Sequence, residues 1–140
     1  MSNENRKPPD FNWVEARERC SLKEVFEGLR LGIREDVETR NTNRALPQDA
    51  FEQTSLKIVE RGYVVRVFWD DTFGSFKDVF VQFSLKPQSI IVETNEGTVY
   101  EATIGLNENG DCKLKLNGKE YDPWQLRMLA LEKFMFNVPK

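Results

Sequence analysis

Chemistry at neutral pH needs titratable or nucleophilic side chains in groups, and this sequence offers few. Three carboxylates, Asp70, Asp71 and Asp78, fall around one short segment. Two carboxyl groups held close together split their pKa values, so that one can act as acid and the other as base. Beside Gly74, in a strand-to-strand connection, the same residues are also ordinary solvated turn formers, and that is the reading adopted. The run Asn107-Glu108-Asn109-Gly110-Asp111 resembles part of a calcium loop only superficially. Setting Gly110 at the sixth position of an EF-hand loop puts Gly105 first, where an acidic ligand is required. The run is read as a hairpin turn.

The sequence has no histidine, which removes the commonest general base and metal ligand near pH 7. Ser-His-Asp, Cys-His and histidine-based zinc chemistry are thereby excluded. Cys20 and Cys112 form no C-x-x-C pattern and are expected to be two free, buried thiols of a reducing compartment. No catalytic residue, metal site or cofactor is expected. Gly28 and Gly32 lie four apart within a helical pattern; each costs that helix roughly 1 kcal/mol relative to alanine. A close contact there with another backbone is one reason to keep them, and tolerated drift is the other.

Arg66 between Val64 and Phe68, with Lys113 and Lys115, offers the mixture of cations and aromatics on which single-stranded nucleic acid stacks. The charge balance argues against it. The net charge is −3, residues 1–44 hold nine basic and nine acidic side chains, and the remainder holds eleven against fourteen. Neither half is basic enough to displace counterions from phosphate, so no nucleic-acid partner is expected. No apolar run approaches the ~18–20 residues that cross a bilayer. With free thiols and a polar N-terminus, the expectation is a soluble cytoplasmic protein without membrane contact.

A chain of 140 residues is the size of one domain, placed at residues 11–140 after a disordered lead-in over residues 1–10. Asn12 and Glu15 form a capping pair that starts a short helix at Trp13. Ser21 and Glu24 form a second, opening a helix over about 22–41 with Leu22, Val25, Phe26, Leu29, Ile33 and Val37 on one stripe. Leu31 falls on its polar side. After Pro47 the period changes to two. Strands are predicted from Leu56, over 63–69, over 79–85, and at about 89–94, 98–106 and 111–116. Asn117-Gly118 is the strongest hairpin signal and can return a brief strand through Glu120. Short connections make neighbours antiparallel, giving a meander of about six strands. Asp122, Pro123 and Gln125 then open a closing helix to about Phe136. The fold class is α+β, in the order helix, helix, meander, helix.

Apolar surface exceeds what one core requires. In the closing helix only Gln125, Arg127, Glu132 and Lys133 interrupt apolar residues, and a helix apolar nearly all round is expected to be buried nearly all round. The 63–69 strand is apolar on both faces except at Arg66, so both faces are expected to be covered. The leading expectation is a non-enzymatic interaction module, a homodimer or the binder of a protein partner. A pocket between sheet and closing helix for a small apolar ligand is the alternative, a thick monomeric core a third, and a carboxylate-dependent enzyme the last. The residues picked for ligand or interface contact are Trp69, Trp124, Met128, Leu131, Met135 and Leu31.

Overall fold

Each helix opens on a capping hydrogen bond between its first residues. The Glu15 N–H donates to Asn12 Oδ1 at 3.1 Å and opens α1, Trp13–Arg19. The Glu24 N–H donates to Ser21 Oγ at 3.1 Å and opens α2, Leu22–Thr42. The Asp122 N–H donates to Gln125 Oε1 at 2.7 Å ahead of α3, Pro123–Phe136. The computed structural model describes residues 9–43, 55–70 and 79–137. Residues 1–8 of the expected lead-in lie outside that set, as do Asp71 and Asp78.

Seven strands form one sheet in sequence order, with every neighbouring pair antiparallel. They are β1 Ser55–Arg61, β2 Val64–Asp70, β3 Phe80–Leu85, β4 Ile90–Thr94, β5 Gly97–Leu106, β6 Cys112–Leu116 and β7 Lys119–Tyr121. The meander expected from the turn residues is present, and the brief return after Asn117-Gly118 makes the seventh strand. Both turn residues have positive φ, 52° and 83°, as a two-residue hairpin with the right twist demands.

Alternation sorts the sheet into two faces. Val65, Val67 and Trp69 of β2 point inward with Leu56, Val81, Phe83, Ile90, Val92 and Leu114. The stripe Phe26, Leu29, Ile33 and Val37 of α2 and Leu126, Leu131 and Met135 of α3 close over them, forming one core. Trp69 is fully buried, and its indole N–H donates to the Phe134 carbonyl at 2.9 Å. A buried indole thus meets its polar requirement inside the core.

Two expectations are corrected, besides that of two covered faces on the 63–69 strand, whose Val64, Arg66 and Phe68 are only partly buried on the face away from the helices. Cys20 and Cys112 are not free thiols: their sulfurs are bonded at 2.08 Å, with Cα atoms 5.4 Å apart. The α1–α2 junction folds against β6, which brings together residues separated by 92 positions. Cytoplasmic placement rested partly on free thiols and loses that support; no described helix is long and apolar enough to cross a membrane. The second correction concerns α3, which is not buried all round. Trp124, Met128, Leu129 and Phe136 are exposed, because α2 and the sheet cover only part of its circumference.

Candidate functional site

The exposed part of α3 borders a groove shared with α2. Trp124, Met128, Leu131, Met135 and Phe136 line one wall and the floor; Asp36, Thr39 and Arg40 line the other, around about 380 Å³. Leu131 and Met135 are buried, whereas Trp124 is 52% and Met128 43% exposed. The groove therefore has a packed apolar floor and raised apolar edges.

Polar contacts hold the two helices at this spacing. Arg127 Nε donates to Asp36 Oδ2 at 2.8 Å. The Arg127 guanidinium lies against Gly32, where any Cβ would collide with it. Gly32 thus admits a side chain from α3 and not a second backbone, and Gly28 has nothing within 4 Å of a notional Cβ. At the far end Arg40 Nε donates to the Met135 carbonyl at 2.9 Å, and its guanidinium stacks 4.4 Å from the Phe136 ring. One orphan carbonyl of the last helical turn gains a cationic partner there. The groove is framed by Asp36 and Glu132 against Arg40 and Arg127, so its rim carries balanced charge.

Four of the six residues picked from sequence meet here: Trp124, Met128, Leu131 and Met135. Trp69 does not, because it is enclosed in the core. Leu31 is exposed on α2 but is not among the groove residues. Phe136, Arg40 and Asp36 were missed. The first was counted only as part of an evenly apolar helix, and the other two belong to α2's polar side, which gives no signal until α3 lies beside it.

A second cleft, of about 480 Å³, opens between the sheet and α3, bordered by Val81, Val92, Tyr100, Leu129, Ala130 and Phe134. The basic residues named from sequence are dispersed. Arg66 is on β2 and Lys113 and Lys115 are on β6, four strands away, or roughly 19 Å at the usual ~4.8 Å spacing. Lys113 is also committed elsewhere, with Nζ 2.6 Å from Asp122 Oδ1, and this contact raises its pKa above the ordinary lysine value. Among the described residues no group of three or more His, Cys, Asp or Glu side chains could hold a metal ion. Asp70 ends β2 opposite Ser55.

These features define an α+β protein with a seven-stranded antiparallel meander and two helices on one face. No protein-family model matches the chain, nor does any curated protein or solved structure.

Proposed function

We propose that the chain is a non-enzymatic interaction module that forms a homodimer through the α2–α3 groove. The observation that carries this reading is the spacing of the groove residues. Trp124, Met128, Leu131 and Met135 succeed one another at steps of four, three and four within α3. That is the hydrophobic repeat by which one helix seats against another. The occupant best matched to the seam is another helix, and α3 of a second copy brings the same repeat. A two-fold contact juxtaposes a surface with itself, and the balanced charge around this groove means that such a contact meets no like-charge excess. The disulfide suits an oxidising compartment, which supports a reading in which two copies meet outside the reducing cytosol.

Sedimentation at micromolar concentration tests the reading. A mass of twice 16.4 kDa is expected for the protein, and the monomer mass for Met128→Glu, which puts a charge on the exposed edge of the seam. A clean monomer in the unaltered protein overturns the homodimer. The second reading, a carrier of a small apolar ligand, is favoured by the cleft between sheet and α3. Saturable binding of an uncharged apolar dye that is lost in Leu129→Glu supports it; binding that persists in that variant excludes the cleft.

A further inference from the structure

The face of the sheet opposite the helices carries a different site. Val64, Arg66 and Phe68 of β2 point to it, beside Val59 and Arg61 of β1 and Gln82 of β3, around a depression of about 420 Å³. Among the described residues none that lines it is acidic, although the chain as a whole is acidic.

Arg66 is held in place by contacts with an aromatic ring and an amide. Its guanidinium carbon lies 3.8 Å from the centroid of the Phe80 ring, and its Nε donates to Gln82 Oε1 at 2.8 Å. Gln82 is itself fixed, since Nε2 donates to Glu93 Oε1 at 3.2 Å and contacts Ser84 Oγ at 3.4 Å. The stack fixes the plane of the guanidinium and the amide fixes its rotation. Among the described residues no carboxylate lies within ion-pair distance of Arg66, unlike Arg30, Arg34 and Arg127. The two terminal nitrogens remain as a fork of donors, the geometry that grips a carboxylate through two parallel hydrogen bonds. Orienting such a fork in advance lowers the entropy lost when an anion binds.

We propose that this depression binds a small amphipathic carboxylate, its anionic head on Arg66 and its apolar body against Val64, Phe68 and Val59. Arg61, on the same face, adds a second positive charge near the head. Among the described residues the site offers two guanidinium groups and no array of backbone N–H donors, which fits the two oxygens of a carboxylate better than the three terminal oxygens of a phosphate. It is separate from the α2–α3 groove, so its failure leaves the dimer reading intact.

The test is calorimetric titration of the full chain with 1-naphthoate, 1-naphthalenemethanol and inorganic phosphate. Saturable naphthoate binding is expected, with the alcohol weaker by about 10–100-fold, the value of a charge-assisted hydrogen bond. Arg66→Met should reduce naphthoate affinity by a similar factor and leave the alcohol unchanged. Val59→Glu is the second variant: Val59 stands directly opposite Arg66 and is exposed, so a carboxylate introduced there should occupy the guanidinium and abolish naphthoate binding. Trp124→Ala, in the other groove, should bind naphthoate as the unaltered protein does. Equal affinity for acid and alcohol, phosphate binding as tight as naphthoate, absence of saturation, or unchanged binding in folded Arg66→Met or Val59→Glu would each overturn the proposal.

Discussion

The side chain of Asn41 pairs with the backbone of Leu56 as a neighbouring strand would. The Leu56 N–H donates to Asn41 Oδ1 at 2.9 Å, and Asn41 Nδ2 donates to the Leu56 carbonyl at 3.0 Å. Leu56 lies in β1, at the edge of the sheet, and its outward-facing groups are thereby satisfied by the last turns of α2. Only a primary amide can donate and accept in this arrangement. An edge otherwise open to another chain is blunted there.

Asn41→Ala and Asn41→Asp are both expected to destabilise the fold by about 1–3 kcal/mol, because each strands a partly buried backbone group. The aspartate keeps the acceptor but faces the Leu56 carbonyl with like partial charge, so its loss should equal or exceed that of alanine at pH 7. Urea denaturation of the three proteins checks the order, and an aspartate variant as stable as asparagine contradicts it.

Glu60 gives the fold a pH dependence. It points inward from β1 and receives Arg34 Nε at 2.6 Å, Arg34 Nη2 at 2.8 Å and Arg30 Nη1 at 3.0 Å. Arg30 reaches further, with Nη2 donating to the Gly62 carbonyl at 2.6 Å. The bond from Arg34, with the weaker help of Arg30, holds the Glu60 carboxyl below the ordinary glutamate value. A lowered folded-state pKa means that the unfolded chain binds the proton first as acid is added. The stabilisation is therefore complete above the unfolded value of about 4.3 and is lost as pH falls through the folded value. Denaturation midpoints should drop below about pH 4.3, and Glu60→Gln should flatten that limb while lowering stability at pH 7. A variant whose acid limb matches the unaltered protein's assigns the effect to other carboxylates.

Local signals were legible in the sequence and long-range ones were not. Asn12, Ser21, Asp122 and Pro123 mark helix starts because capping is settled within one turn, and Asn117-Gly118 marks a hairpin because only two residues decide its φ angles. The clamp of Glu60 by Arg30 and Arg34 depends on α2 lying over β1, a register that neither segment encodes alone. The groove lies between these cases. The composition of α3 shows more apolar surface than a half-covered helix needs, yet its even distribution hides which sector is left open. Only the position of α2, fixed in part by Gly32 and the Asp36–Arg127 pair, decides that Trp124 and Met128 form the edge. Arg66 was visible as a cation among apolar neighbours, but its stack on Phe80 joins two strands, β2 and β3, whose pairing the sequence around Arg66 does not encode.

The two helical glycines should respond oppositely to the same change. Gly28 has open space around a notional Cβ, so Gly28→Ala should stabilise the protein by about 0.5–1 kcal/mol through helix propensity. Gly32→Ala gains the same propensity but displaces the Arg127 guanidinium from its seat beside Asp36, and should fall short of Gly28→Ala by at least ~0.5 kcal/mol. In an Arg127→Ala background the obstruction is gone, and Gly32→Ala should then match Gly28→Ala. Equal effects in both backgrounds would show that Arg127 moves aside without cost.

The bridge between Cys20 and Cys112 should matter most for α1. That helix buries none of its residues, and Trp13 and Val14 are exposed, so its own packing adds little to hold it in place. Cys20 itself is buried. Closing a loop of this length restricts the unfolded chain, and loss of such a bridge typically costs about 2–5 kcal/mol. Thiol titration of the denatured, unreduced protein should find no free cysteine. The Cys20→Ala, Cys112→Ala double variant should unfold at lower urea, and amide exchange should rise first in Trp13–Arg19 while the α2 stripe from Phe26 to Val37 stays protected. Uniform exchange across both helices would mean that the bridge supports the whole core; unchanged exchange in α1 would mean that contacts with β5 hold that helix without it.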